Sequence, residues 1–269
     1  MAITAAEVNK LRKQTGAGMM DCKKALTETN GDFEAAIDVL RKKGQKVAAK
    51  RGENEASEGL IFAQTTEDGK TGVMVRLNCE TDFVAKNDDF RAFVQSLVDV
   101  AMKEMPASID ELKSAAYNDK LTVNEKITEH VGVVGEKLDL SGFEVVKADS
   151  VIAYNHPGNQ IATLVGLNSG SEEAQDAGRQ VAMQVAAMNP LALNKDGIDQ
   201  ETIDRELEVG KELAIQEGKP AEMAEKIAQG RLNKFFKENT LLSQAFVRDN
   251  KVTVEQFLNT TENGLTVVD

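Results

Sequence analysis

GLIFAQTTEDGKTGVMVRLNCETDFVAKN, residues 59–87, decides how this chain is read. Gly72-Val73-Met74-Val75-Arg76-Leu77 has strand composition and Asp68-Gly69 ahead of it is a turn dipeptide, so residues 59–78 read as a β-hairpin. DDFRAFVQSLVDVAM (88–102) then opens a helical pattern. Thr81, Asp82, Phe83 and Val84 fall on the connection between strand and helix, and connections run over surfaces. An apolar pair is unexpected there. Taken alone, Phe83 reads more readily as a core residue than as a surface one.

Further along, the pattern recurs. SVIAYNHPGNQIATLVGLN (150–168) is a strand, a His-Pro-Gly-Asn turn and a strand, and EEAQDAGRQVAMQVAAM is its helix. Leu77 to Met102 is a step of 25 residues and the matching Leu167 to Met188 a step of 21, so the first copy has four more residues. The surplus falls on the stretch that holds Phe83. Each copy predicts a small α+β layer, with helices packed on one face of an antiparallel hairpin.

Ahead of the first copy lies a predicted three-helix head. Thr4-x-x-Glu7 is a capping box, Val8 and Leu11 follow at helical spacing, and Gly16 supplies a stop. A second helix from Met19 to Thr29 buries Cys22, Ala25 and Leu26 and ends at Asn30-Gly31. The third starts on Asp32, turns Phe33, Ala36, Ile37 and Leu40 inward, and closes at Gly44, leaving QKVAAKRGENEASEG (45–59) as a polar linker. Between Ile198 and Lys237 helical spacing returns at Ile203, Leu207, Leu213 and, beyond Gly218-Lys219-Pro220, at Met223, Ile227 and Leu232. This segment reads as a helical hairpin that serves as a contact surface, a dimer seam or a plain packed pair. The expected organisation is a head at 1–54, a first subdomain at 55–147, a second at 148–191 and 232–269, and a hairpin at 192–231.

Composition bounds the function. Apolar residues make up 41% and charged residues 28% of 269, ordinary values for a globular chain, and no apolar run approaches the roughly 20 residues of a membrane span. MAITAAEVNK lacks the order of a signal peptide, and two separated cysteines, Cys22 and Cys79, give neither a disulfide framework nor a zinc site, so a cytoplasmic location is expected. Residues 1–54 hold 11 Lys and Arg against 7 Asp and Glu, a net of +4; with −12 overall, the remainder carries −16. An acidic body with a basic head points to a protein partner and away from nucleic acid or a membrane.

Enzyme signatures are missing from the sequence. His130 and His156 have no metal-ligand spacing with each other or with a cysteine, and G-x-S-x-G, the P-loop and G-x-G-x-x-G are absent. TGAGMMD (15–21) precedes a helix but follows no strand, so it reads as a helix-helix turn, not a phosphate cradle. No catalytic residue, metal ligand or cofactor site is assigned.

LRKQTGAGMMDCKKALTETNGD (11–32), NCETDFVAKN (78–87), GKPAEMAEKIAQGRLNKFFKE (218–238) and LLSQAFVRDNKVTVEQFL (241–258) stand in an order that resembles the bacterial elongation factor Ts family. The resemblance covers almost the whole chain and weakens near residues 104–130. Many bacterial members continue beyond the equivalent of Thr266–Asp269 into a further strand and short helix, so contacts of that module are not carried over.

The resemblance implies a ubiquitin-associated-like head, two related α+β subdomains and a protruding coiled-coil hairpin. It implies a nucleotide-exchange factor for the GTPase elongation factor Tu, which releases GDP without making or breaking covalent bonds. The family's exchange tip falls on Thr81, Asp82, Phe83 and Val84, where the phenylalanine wedges into the GTPase and the tip dislodges magnesium. With the four-residue surplus, this turns Phe83 from a core residue into a surface wedge. Arg12, Met19, Met20 and Lys23 match contact positions in the head, although the two methionines equally suit core filling. Val134, Gly135 and His156 match positions that touch the GTPase or shape the exchange surface, and Val247 and Arg248 are further candidates. A dimer or a 2:2 complex through the hairpin is compatible with this reading. An adaptor acting through its head, or an enzyme using Cys79 or His156, are the other classes left open.

Overall fold

A computed structural model describes residues 3–269. Three helices open the chain: α1 (Ala5–Thr15), α2 (Met19–Glu28) and α3 (Phe33–Arg51). The Thr4 hydroxyl accepts the Glu7 N–H while the Glu7 carboxylate takes the Thr4 N–H, and Gly16 ends α1 in the left-handed region, as the sequence predicts. Val8, Leu11, Ala17, Cys22, Ala25, Leu26 and Ala36 form the core of this head, and Phe33, Ile37 and Leu40 are half-buried against it.

The third helix does not stop at Gly44. It continues for two further turns to Arg51, so residues 45–51 of the expected linker are helical and only residues 52–57 connect it to the first strand. Gly44 is buried because α3 crosses another helix there: a Cβ on Gly44 would lie 3.0 Å from the Thr128 carbonyl, and one on Gly132 would lie 2.7 Å from the Gly44 Cα. A glycine that sequence reading takes as a stop is here a point of close helix approach.

Strands β1 (Glu58–Thr65) and β2 (Thr71–Cys79) form the first hairpin, and the one-turn helix α4 (Asp82–Ala85) leads into α5 (Asp88–Glu104). Helix α6 (Ile109–Ser114), the short pair β3 (Ala116–Asn118) and β4 (Leu121–Thr122), α7 (Val123–Val134) and β5 (Leu138–Lys147) complete this part, with strand order β1-β2-β5. Val73, Val75 and Leu77 on alternate positions of β2 meet Phe90, Phe93, Val94 and Leu97 of α5, which places one core between sheet and helix.

The second hairpin, β6 (Ser150–Asn155) and β7 (Ala162–Leu167), is antiparallel with Ser150 opposite Leu167 and Asn155 opposite Ala162. Helix α8 (Glu172–Met188) packs on it. Helices α9 (Gln200–Gln216) and α10 (Ala221–Asn239) then form the helical hairpin, before β8 (Ala245–Phe246), β9 (Asp249–Thr253) and α11 (Val254–Thr261). The core of this part joins Val165, Leu167, Ala174, Val181, Phe246, Val254, Leu258 and Val267.

In the helical hairpin the seam is made of small residues. Gly210, Ala214, Ala224 and Ala228 are buried with Leu232, whereas Leu213 and Met223, two of the residues at helical spacing, are exposed. A Cβ on Gly210 would lie 3.2 Å from the Ala228 Cα, so at this point the helices approach too closely for a larger side chain.

The fold is α+β throughout, with a helical head and small sheets covered by helices. It divides into two compact units: unit 1 runs to Gln64 and adds Val73–Val145 and Pro157–Ile161, while unit 2 holds Thr65–Gly72, Val146–His156 and Ala162–Asp269. No helix of the described residues is long and apolar enough to cross a membrane.

Candidate functional site

The connection after β2 belongs to unit 1, and its four residues Thr81–Val84 lie on and around α4. Thr81 is the residue before that helix, with extended backbone and no side-chain bond to the turn it precedes. Its polar atoms are used elsewhere. The Thr81 N–H donates to Glu136 Oε2 at 3.0 Å, the Thr81 hydroxyl donates to Glu136 Oε1 at 2.6 Å, and the Thr81 carbonyl accepts from the Cys79 thiol at 3.2 Å. Burial, then the Glu136 charge, pushes the Cys79 thiol up to about 11, so it stays protonated and remains a donor.

Glu136 arrives there because α7 ends two residues earlier, at Val134. Gly135 has φ 76° and its N–H returns to the Val131 carbonyl, a left-handed cap that glycine adopts without Cβ strain. The neighbouring residues answer in kind: Glu80, next to Thr81, accepts the backbone N–H of Lys137, next to Glu136. Glu80 also takes Arg51 Nη1 at 2.8 Å and Asn54 Nδ2 at 3.0 Å, which ties the end of α3 to the same root. Its carboxyl is held below the usual carboxylate range, first by the Lys137 N–H.

From this root the turn projects one side chain outward. Ala85 is buried, Val84 is half-buried against the β2–α5 core, and Phe83 is 84% exposed. The Asp82 carboxylate pairs with Lys86 Nζ at 2.6 Å across the single turn, and this contact lowers its pKa. At the far end Asn87 caps α5 by accepting the Asp89 N–H at 2.7 Å. A one-turn helix is not stable in isolation. Here it is anchored before and after, and the anchored face leaves a phenylalanine in solvent.

Other candidate residues fall into two groups. In unit 1, Arg12 lies exposed in the last turn of α1, and Met19, Met20 and Lys23 lie in the first turns of α2. Met19 and Met20 are 53% and 74% exposed, so neither fills the core. Gly16 in the loop between these helices lies beside Val133, where an added Cβ would sit 3.7 Å from its methyl group. The head loop, the Val134–Gly135 end of α7 and the Thr81–Val84 turn all lie in unit 1.

Unit 2 holds the second group. His156 stands exposed in the β6–β7 turn with Nδ1 2.9 Å from the Tyr154 hydroxyl. Val247 and Arg248 form the exposed β8–β9 turn, where the Val247 N–H donates to Oε1 of the fully buried Gln184 at 2.8 Å and Arg248 Nη1 reaches Gln180 Oε1 at 3.3 Å. The Gln184 amide in turn donates to Gln244 and to the Ala245 carbonyl, both at 3.1 Å, so a buried polar network fixes that turn.

Sequence reading missed Glu136, Glu80 and Gln184. The first two are ordinary surface residue types near helix or strand ends, and only the fold shows that each carboxylate accepts the backbone N–H of the residue after the other.

Known proteins resemble the chain over nearly its whole length. The model of one protein family, described as Elongation factor TS, matches residues 80–269. The chain is 52% identical over 266 residues to Elongation factor Ts of Christiangramia forsetii, covering 99% of this chain and 96% of that protein. It is 52% identical over 268 residues to Elongation factor Ts of Amoebophilus asiaticus, with coverage of 99% and 96%. For Elongation factor Ts of Porphyromonas gingivalis the identity is 47% over 268 residues, with coverage of 100% and 96%. A match over more than half the chain, and near-half identity over nearly all of it, place the chain in the elongation factor Ts family.

Proposed function

We propose that the chain is a guanine-nucleotide exchange factor for elongation factor Tu in translation elongation. Family membership implies the exchange function, and the single observation that supports the mechanism is Phe83, held 84% exposed on a clasped one-turn helix. An exposed phenylalanine forgoes burial worth about 1.5–3 kcal/mol. Seated in a partner pocket that exists only when GDP contacts are distorted, that burial weakens GDP by roughly 10- to 150-fold. Thr81 and Val84 set the turn, Phe83 is the wedge, and Asp82 carries charge to the magnesium that bridges the partner's nucleotide phosphates.

Coupling of this kind is reciprocal: the factor expels GDP by as much free energy as GDP expels the factor, and incoming GTP then completes the cycle. No covalent bond changes. Larger weakening comes from further contacts, which we assign to Arg12, Met19, Met20 and Lys23 of the head and to Val134 and Gly135 beside the tip. His156, Val247 and Arg248 serve as the contacts of unit 2. The exposed Val209, Leu213, Ile215 and Met223 of the helical hairpin serve partner docking or self-association.

Release of fluorescent GDP from elongation factor Tu, with and without the chain, tests this reading. Acceleration by substoichiometric chain is expected; an unchanged release rate overturns it.

A further inference from the structure

The Phe83 wedge is exposed, yet exposure alone does not make a wedge. A side chain on a loose turn gains the same burial by letting its own backbone yield, and then nothing is forced open in the partner. The relevant question is what makes residues 81–85 stiff. Four residues of helix do not supply it.

One carboxylate holds the root of the turn at two atoms. Glu136 uses both oxygens on one residue, Oε2 on the Thr81 N–H at 3.0 Å and Oε1 on the Thr81 hydroxyl at 2.6 Å. Charge-assisted bonds to a backbone donor and a hydroxyl are the strong kind, and a bidentate pair fixes orientation as well as distance. The clasp is reciprocal, since Glu80 takes the Lys137 N–H in return. We infer that Glu136 is a positioning residue for nucleotide exchange: its carboxylate locks the root of α4 so that force on Phe83 is transmitted to the partner instead of bending the turn.

Unit 2 also lays a carboxylate on its connection, there without a wedge and through one oxygen to two hydroxyls. Glu262, directly after α11, accepts from the Ser169 and Ser171 hydroxyls in the connection between β7 and α8. That carboxylate steadies a helix cap and no projecting side chain. Glu262 is therefore the internal control for a purely structural role.

This inference rests on the exchange reading, and the experiment separates the two. Glu136→Ala, Glu136→Gln and Glu262→Ala are compared with the unaltered chain by amide hydrogen exchange at Thr81, by thermal midpoint, and by GDP release from elongation factor Tu over a range of factor concentration. Glu136→Ala is expected to lose at least about tenfold of Thr81 protection and to slow release at saturating factor by about tenfold, one strong hydrogen bond in each case. The half-saturating concentration should stay within about twofold, because Phe83 and the head still dock. Glu136→Gln, which keeps an acceptor, should recover part of both losses, and Glu262→Ala should leave the saturated rate and Thr81 protection intact whatever it does to the midpoint. If Glu136→Ala leaves the saturated rate intact, or if Glu262→Ala slows it as much, the positioning role is overturned. No acceleration by the unaltered chain overturns the exchange reading itself.

Discussion

In unit 1 the chain passes from β2 to α5 across residues 80–87; in unit 2 it passes from β7 to α8 across residues 168–171. The four residues of difference are the length of α4, Asp82–Ala85. Around these connections the two units follow one plan. Each sets its long helix on a hairpin, then forms a second short hairpin, β3–β4 or β8–β9, that runs into a helix opened by a capping box, Thr122 with Glu125 or Thr253 with Gln256. Each returns to its first hairpin, β5 beside β2 and Val267 opposite Leu167. Each then lays a carboxylate on the connection, Glu136 or Glu262. The shared parts hold a layer together, whereas the inserted turn holds a phenylalanine out of it. Asn168-Ser169-Gly170-Ser171 offers no apolar side chain at all.

The largest effect should come from removing what only unit 1 has. Phe83→Ala is expected to slow GDP release by roughly 10- to 150-fold while the thermal midpoint stays put, because an exposed ring contributes little to its own fold. Phe90→Ala, seven residues on and fully buried against β2, should cost about 3–5 kcal/mol and lower exchange only through loss of folded chain. Calorimetry beside fluorescent-GDP release distinguishes them. A midpoint that falls for Phe83→Ala as far as for Phe90→Ala would make the turn part of the core and erase the difference between the units.

The comparison also shows where sequence is legible. Caps and turns were readable because their chemistry is local: Thr4 with Glu7, Asp32, Asp68-Gly69 and the His-Pro-Gly-Asn turn each act within a few residues. The four-residue surplus was readable as arithmetic. Gly44 misled because a glycine at a helix end and a glycine at a helix crossing look alike until the crossing partner, Gly132, is in place. Helical spacing at Leu213 and Met223 does not tell which face is buried, and the seam is built on Gly210, Ala214 and Ala228. Glu136 was silent because its meaning lies 55 residues away, at Thr81.

A second difference lies in the ring stacks. In unit 1 His130 stacks on Phe93 with centroids 3.9 Å apart; in unit 2 Phe257 stacks on Phe246 at 4.1 Å. Only the first pair titrates. Burial, then the Lys126 charge, lowers the His130 pKa from 6.5 to about 4, and its buried Nε2 has no hydrogen-bond partner. The unfolded chain takes up this proton below pH 6.5 while the folded chain does not until about pH 4. Stability from neutral His130 is therefore complete above pH 6.5 and falls as pH drops between those values, by at most about 3 kcal/mol. Unfolding of unit 1 should steepen in that window, and His130→Phe should flatten it; an unchanged slope in that variant would remove His130 as the cause.

Glycine contacts give a smaller contrast. A Cβ on Gly132 would lie 2.7 Å from the Gly44 Cα, which is backbone, while one on Gly178 would lie 2.7 Å from the Ile152 Cγ1 methylene and the Leu167 Cδ1 methyl, which belong to side chains. Gly132→Ala should cost about 1–3 kcal/mol and Gly178→Ala less, measured by denaturant midpoints. The reverse order would show that α3 and α7 separate more readily than the α8 layer repacks.

The smallest effect, and the sharpest on mechanism, concerns Asp82, for which unit 2 has no counterpart between residues 168 and 171. Its carboxylate lies exposed and paired with Lys86 at 2.6 Å, an i,i+4 contact in solvent, so Asp82→Ala should leave the thermal midpoint unmoved. If Asp82 acts on the partner's magnesium, the variant should release GDP severalfold more slowly with the ion present and match the unaltered chain once the ion is chelated, since the step it serves is then complete. Lys86→Ala provides the opposite perturbation, because it frees the carboxylate without removing it; release with magnesium should hold or rise. An Asp82→Ala variant as slow in chelator as in magnesium would make this carboxylate a docking contact and leave the wedge, held by Glu136, as the feature that separates the first unit from the second.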